Sequence, residues 1–385
     1  MVKCFLFRYF LVYFVMKQRL ESLDILRGLD LFVLVFFQPV FMRLAQVQPE
    51  GNFLRIIQDN VFTHVEWEGF HLWDQVMPLF LFMAGTSIPY AFAGYKSESI
   101  FPKSVYYRVG KRILLLWILG AIVQGNFLDL NINTLYVYTD TLQAIACGYF
   151  FSVILFMTLS VRKMLVITLL LPALYTLLML LGGSYLPGEN LAEQIDRMIL
   201  GRFIYGASIA ENGEVVYADW YHISWLLSSL NFVTTVMSGV LTGVVLKSNI
   251  LNKKKLQILL TSGVVCLLIA YCLSFYEPII KRLWTSSMTF LSSGISILLM
   301  LFFYYWVDII KKGKYLKWLK IYGMNSILAY MLYNTMNLSS LLQQWLHGLE
   351  QFVGKYYSFV FELAFVGFIW CILNYCYKKK IFLKV

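Results

Sequence analysis

Residues 63–91 read THVEWEGFHLWDQVMPLFLFMAGTSIPYA and change from a polar to an apolar composition within a few positions. The first twelve residues hold two of the chain's four histidines, three carboxylates and two tryptophans. From Val76 to Ala91 the segment carries no charge, as is typical of a helix that enters a lipid bilayer. The stretch therefore predicts a membrane helix whose entrance is crowded with titratable side chains.

The composition of the whole chain agrees with this interpretation. Of its 385 residues, 59% are hydrophobic and 14% are charged, and the mean hydropathy is +0.68, whereas soluble domains carry about 25% charged residues. The net charge of +11 comes from short basic clusters between apolar segments. Such clusters are typical of the cytoplasmic loops of membrane proteins, and we exclude a nucleic-acid partner. The sequence predicts an all-α, polytopic helical bundle.

A membrane-spanning helix needs roughly 20 apolar residues, and the sequence predicts about ten such helices in a single domain, 20–385. Residues 1–19 are predicted to form a cytoplasmic or interfacial tail, and a translation start at Met16 is a hypothesis. The predicted spans are 23–45, 70–95, 110–127, 139–159, 163–182, 223–246, 256–275, 284–307, 321–342 and 357–377.

The distribution of lysine and arginine predicts the orientation of the bundle, because cytoplasmic loops are enriched in both. With ten spans and a cytoplasmic N-terminus, 24 of the 32 basic residues fall in cytoplasmic segments and 7 fall outside. Both termini are therefore expected in the cytoplasm. His64 and the acidic loop 183–222 are expected on the other side of the membrane.

Ionisable residues at membrane depth are rare and usually face the interior of a bundle. In the first predicted helix, Asp24, Arg27 and Asp30 follow one another at i, i+3 spacing and share a face. This stripe is either a self-neutralising packing element or a gate or anion contact near the cytoplasmic mouth. Gln38 is expected roughly 16 Å further toward the outside, at 1.5 Å per residue.

Other polar residues lie near the ends of predicted helices. Asp74 lies just inside the second helix, where an unpaired carboxylate is costly, and it is expected to act in or support a site. Asp140 and Gln143 begin the fourth helix near its outer end. Asn325 and Ser326 are placed near the cytoplasmic end of the ninth helix, where they either bind a ligand or hold helices together.

His64 has two interpretations. An isolated histidine in a loop outside the membrane is commonly solvated surface. His64 is, however, followed closely by Trp67, Gly69 and Asp74 on a short approach to the second helix, and imidazole is well suited to proton transfer near neutral pH.

Several motifs resemble a known family, the multispan acetyltransferases typified by heparan-alpha-glucosaminide N-acetyltransferase, in a bacterial form that lacks the large luminal extension. The similarity covers about residues 19–385, and the pattern between His64 and Ile88 is its most specific part. The matching motifs are RLESLDILRG at 19–28, HxxWxGxxxxDxxxPxFxFxxGxSI from His64 to Ile88, LQ at 142–143, PIIKRLW at 278–284, GMNSILAY at 323–330 and KKKIFLKV at the C-terminus.

The resemblance implies transfer of an acetyl group from cytoplasmic acetyl-CoA to the amine of a glucosamine-type sugar on the far side of a bacterial inner membrane. It places the catalytic histidine at His64, and a homodimer is an expectation taken from the same resemblance. The residues expected to serve the reaction fall into three groups: Gln38 as oxyanion donor and Asp74 as the residue that orients His64; Arg27, Arg108, Lys111, Arg112, Gln143, Asn325 and Ser326 for the donor; Glu66, Trp67 and Asp140 for the acceptor.

The chain departs from the family pattern at three places. Gln38 stands where many members have asparagine, Ala144 follows LQ where arginine is common, and ISW at 223–225 replaces PEG. These departures leave the identity of the acceptor more open than the reaction. Two alternatives remain: an integral-membrane sugar O-acyltransferase, which usually has a histidine in the first helix, and a secondary transporter, which usually has an internal repeat.

Overall fold

The computed structural model describes residues 20–96, 102–335 and 338–383, and this part of the chain is mostly helical. The predicted tail, 1–19, lies outside the described residues. Two short antiparallel strands, β1 (Ala207–Ile209) and β2 (Val215–Tyr217), form a hairpin. The helices are α1 (Glu21–Gln46), α2 (Phe53–Ile57), α3 (Leu72–Tyr95), α4 (Lys103–Gln124), α5 (Thr141–Thr158), α6 (Val161–Gly182), α7 (Leu191–Leu200), α8 (Ser229–Lys247), α9 (Asn252–Leu273), α10 (Ser286–Ile309), α11 (Lys317–Met324), α12 (Ser326–Asn334), α13 (Leu338–Leu346), α14 (Glu350–Val353) and α15 (Tyr357–Lys378).

Among the described residues, eight helical segments are long and apolar enough to cross a membrane, so the chain is a multi-pass membrane protein. Seven are α1, α3, α5, α6, α8, α9 and α10, and the eighth is the stretch 338–378 that ends in α15. Each overlaps a span predicted from the sequence. The apolar runs therefore predicted these helices correctly.

Two of the ten predicted spans are not among the eight. The span at 110–127 corresponds to α4, a complete helix whose first half carries four basic residues. The span at 321–342 is divided: α11 ends at Met324, and Asn325 leaves helical geometry with φ −127° and ψ 43° before α12 begins. The count of ten spanning helices is thus not confirmed.

Close packing of α3 against α8 forms the centre of the bundle. A methyl group at Gly85 would overlap the carbonyl of Val236, and one at Gly239 would overlap the carbonyl of Phe82. Small residues allow membrane helices to approach closely, where packing rather than water expulsion drives association. The largest apolar cluster extends from this contact, with Leu81, Ile88, Leu142, Tyr149, Phe232 and Val236 among its buried members.

Three loops meet at the end of the bundle where α3 begins. The backbone N–H of Gly69 donates to the carbonyl of Ile279 at 2.8 Å, and that of Ser224 donates to the carbonyl of Arg282 at 3.1 Å. The carboxylate of Asp196 on α7 accepts from the backbone of Trp225 and Leu226 at 2.6 and 3.0 Å. These bonds fix the loops that carry His64, the β-hairpin and Lys281 relative to one another.

Candidate active site

A cavity of about 790 Å³ lies inside the bundle. Its lining includes Asp74 and Ser87 of α3, which are about 20 Å apart along the helix, and Arg112 and Gln124 of α4, about 18 Å apart. The hydrocarbon core of a bilayer is about 30 Å thick. The cavity therefore runs along most of the depth of the bundle.

His64, Asp74 and Lys281 form a compact cluster at one end of this cavity, and all three line it. Nδ1 of His64 lies 2.7 Å from Oδ1 of Asp74, and Nζ of Lys281 lies 3.3 Å from the same oxygen. Nζ of Lys281 is also 3.0 Å from Nδ1 and 3.4 Å from Nε2 of His64. The His64 side chain is 52% exposed, whereas Asp74 is 1% exposed. A buried carboxylate thus supports an imidazole that solvent can reach.

The start of α3 holds Asp74 in place through local hydrogen bonds. Its Oδ2 accepts from the backbone N–H of His71 at 3.0 Å and of Val65 at 3.4 Å. The ring of His71 closes the loop with a 3.0 Å bond from Nδ1 to the carbonyl of Thr63. Gly69 has φ +128°, which an L-residue rarely adopts, so this tight loop depends on glycine. The hydrogen bonds of this loop therefore hold Asp74, and through it His64, in a defined orientation.

The surroundings of His64, chiefly its burial, favour a neutral imidazole. Its pKa is lowered from 6.5, chiefly because the protein displaces water; the hydrogen bond to Asp74 opposes this change, and Lys281 and Arg282 add to it. Because a carboxylate only accepts, the proton of neutral His64 belongs on Nδ1, and Nε2 keeps its lone pair. Such an atom can act as a base or a nucleophile.

The pKa of Lys281 is also shifted from its ordinary value. Burial lowers its pKa to about 8, while the carboxylate of Asp74 opposes that change. At neutral pH the ammonium form therefore predominates. A positive charge next to His64 can stabilise negative charge that develops on a bound carbonyl oxygen.

The other end of the cavity is basic. Arg27 of α1, Arg112 of α4 and Ser326 of α12 line it there, together with Leu383 of the C-terminal segment. Arg27 lies 3.7 Å from Asp24, and the guanidinium of Arg112 lies 4.2 Å from the ring centre of Tyr149. The structure thus brings together three of the seven residues that the sequence placed at the donor.

The remaining four predicted donor residues lie elsewhere. Arg108 and Lys111 are exposed and do not line the cavity. The amide of Gln143 accepts from the backbone of Thr139 at 2.7 Å and donates to the carbonyl of Val137 at 2.9 Å, at the start of α5. Asn325 instead holds the C-terminal segment: Nδ2 donates to the carbonyl of Ile381 at 2.9 Å, and Oδ1 accepts from Leu383 N–H at 3.0 Å.

Gln38 also lies outside the lining of the cavity. Its Nε2 donates to the carbonyl of Phe62 at 3.2 Å, which ties α1 to the segment that leads into His64. The structure therefore does not place Gln38 with the His64 cluster.

Of the three residues expected at the acceptor, Trp67 alone lines the cavity. Its indole N–H donates to the carbonyl of Tyr185 at 3.1 Å. Glu66 is exposed on the same loop. Asp140 caps α5, where its Oδ1 accepts from Leu142 N–H at 2.7 Å and its Oδ2 accepts from the hydroxyl of Tyr330 at 3.0 Å.

Several residues of the cavity were not assigned from the sequence. Lys281 and Arg282 lie within the motif at 278–284, but nothing in their spacing indicated a contact with His64, 217 residues away from Lys281. The aromatic side chains of Tyr205, Trp220 and Tyr221 also line the cavity. They follow or flank a hairpin that carries no recognisable motif.

Together, the fold and cavity define a multi-pass helical membrane protein with a deep internal cavity that ends at a histidine–carboxylate–lysine cluster. No protein-family model matches the chain, and no curated protein matches it.

Proposed function

We propose that this protein is a transmembrane acetyltransferase that moves an acetyl group from cytoplasmic acetyl-CoA to the amine of a glucosamine-type sugar on the opposite side of a bacterial inner membrane. The observation that carries the proposal is the continuity of the cavity from Arg27 and Arg112 to His64. A long, narrow thioester needs such a path, because its nucleotide cannot enter lipid.

The residues of the cavity fit the donor. Guanidinium groups are suited to phosphates, and Arg27 and Arg112 line the end expected to face the cytoplasm. Apolar side chains, among them Leu116, Leu142 and Ile145, line the cavity as well and suit a slender arm that carries few charges. Acetyl-CoA supplies an activated acyl group whose C–S bond breaks on transfer.

His64 provides the chemistry at the far end. In direct transfer, Nε2 takes a proton from the acceptor nitrogen as that nitrogen bonds to the carbonyl carbon, and the sulfur leaves as a thiolate. In the two-step alternative, Nε2 bonds to the carbonyl carbon first and the sulfur leaves as a thiolate. The amine nitrogen then bonds to the same carbon, neutral His64 leaves, and the proton lost by the nitrogen neutralises the thiolate. In both routes Asp74 keeps the Nδ1 proton in place and stabilises the imidazolium.

The proposal is tested with purified protein in detergent, acetyl-CoA and an amino-sugar panel, by following free thiol and acetylated product. We expect N-acetyl product from the wild type and none above background from His64→Ala. Product acetylated on oxygen would favour the O-acyltransferase alternative. Sugar uptake into liposomes without acetyl-CoA, with no thiol release, would favour a transporter and reject the proposal.

A further inference from the structure

The charges that line the cavity are unbalanced. Among the side chains that line it, Arg27, Arg112, Lys281 and Arg282 carry a positive charge at neutral pH, and Asp74 carries a negative charge. At the His64 end, two cations therefore face one carboxylate. A ligand that enters there meets a net positive surface.

Asp74 has no capacity left for an ammonium group. One oxygen faces His64 and Lys281 at 2.7 and 3.3 Å, and the other accepts from two backbone N–H groups. The residue is also 1% exposed. Among the described residues, the cavity lining consequently offers no available carboxylate to the ammonium group of an amino sugar.

Arg282 is the available cation. Among residues 20–96, 102–335 and 338–383, no carboxylate lies within ion-pair distance of its guanidinium. Its backbone carbonyl accepts from Ser224 N–H at 3.1 Å, and the turn that contains it is closed by Trp284 N–H donating to the carbonyl of Lys281 at 2.9 Å. Arg282 thus lines the cavity from a hydrogen-bonded turn, without a carboxylate partner among the described residues.

Three aromatic side chains line the same end of the cavity. The ring centres of Tyr205, Trp220 and Tyr221 are 5.4 to 5.8 Å apart, and the three rings meet edge to face. Trp220 is largely exposed. Flat aromatic faces bury the apolar faces of rings effectively, and a pocket of this kind needs few polar groups to fix orientation.

We infer that the acceptor is an amino sugar that also carries an anionic group, a carboxylate, phosphate or sulfate, and that Arg282 pairs with this group while the sugar ring lies against Tyr205, Trp220 and Tyr221. The inference rests on the proposed acetyltransferase function and narrows its substrate class. When the anionic group pairs with Arg282, the amine of the sugar is positioned near Nε2 of His64. No carboxylate is then needed to bind the ammonium group. A guanidinium is suited to this task because it binds oxyanions through two parallel N–H donors.

The test compares acceptors that differ in charge. With saturating acetyl-CoA and wild-type protein, kcat/KM is measured from thiol release for glucosamine, glucosamine 6-phosphate, glucosamine 6-sulfate and muramic acid. At least one anionic sugar is expected to exceed glucosamine by about tenfold or more, as a charge-assisted hydrogen bond provides. Arg282→Gln should remove most of this advantage through KM, and Arg282→Lys should keep part of it.

Arg55→Gln is the matched control, because Arg55 lies on α2, before His64 in the chain, and does not line the cavity. It should leave the preference unchanged. Equal kcat/KM for glucosamine and all anionic sugars in the wild type overturns the inference while the proposed function stands. The inference is also overturned if Arg282→Gln raises KM for acetyl-CoA and leaves KM for the anionic sugars unchanged. Absence of thiol release with every acceptor would instead reject the proposed function.

Discussion

Nδ1 of His64 lies 2.7 Å from Oδ1 of the buried residue Asp74, ten positions further along the chain. This contact fixes which nitrogen of the imidazole carries the proton and which one faces a ligand. Asp74→Asn keeps the shape but allows the wrong tautomer. We expect kcat to fall by about 10³-fold or more, with the protein still folded in detergent by circular dichroism. An Asp74→Asn variant with wild-type kcat would remove Asp74 from the site's function.

The pH dependence of kcat/KM tests the role of Lys281. Lys281 lowers the pKa of His64 through its positive charge, so Lys281→Met should raise that pKa and move the acid limb of the profile to higher pH. Activity needs neutral His64, which is why the limb follows this pKa.

The basic limb of the same profile provides a second measurement. In the wild type, activity should decline as Lys281 loses its proton near its pKa of about 8. Lys281→Arg retains the charge at all accessible pH values, so the decline should disappear. A basic limb that is identical in Lys281→Arg and the wild type would show that another group causes it.

The lining of the cavity predicts which basic residue of α4 contacts the donor. Arg112→Gln should raise KM for acetyl-CoA by about tenfold, because a phosphate would lose a charge-assisted bond. Arg108→Gln and Lys111→Gln, which change exposed residues of the same helix, are the matched controls and should have little effect. Equal effects of all three substitutions would mean that general positive charge, and not the cavity lining, attracts the donor.

Gln38 gives a prediction that differs from its role as expected from the sequence. Since its amide donates to the carbonyl of Phe62 and lies outside the cavity lining, Gln38→Ala should lower the melting temperature while kcat stays within a few-fold of the wild type. A fall in kcat of about 10²-fold with unchanged stability would return Gln38 to the oxyanion role.

The fold was largely predictable because each spanning helix needs a long apolar run, and such runs are visible in one sequence. The break in the helix at Asn325 was not predictable, because the Asn325 side chain forms hydrogen bonds to Ile381 and Leu383, more than fifty residues away. The pattern DTLQ at 140–143 could have been interpreted as a capping box, with Asp140 and Gln143 satisfying the first backbone groups of α5.

The His64 end of the site was predictable only where its residues are neighbours in sequence. His64, Trp67 and Asp74 belong to one loop and helix start, and the structure brings them to one cavity. Lys281 and Arg282 reach the same place through the fold of distant helices, which a pattern of local spacing does not contain.

The central claim is that an acetyl group passes through the bundle to His64. Its most direct test uses proteoliposomes of defined orientation, with labelled acetyl-CoA confined to the face expected to be cytoplasmic and an impermeant amino sugar on the other face. We predict labelled N-acetyl sugar on the acceptor side with wild-type protein and none with His64→Ala. Product formed only when both substrates share one side, or full activity of His64→Ala, would contradict the account.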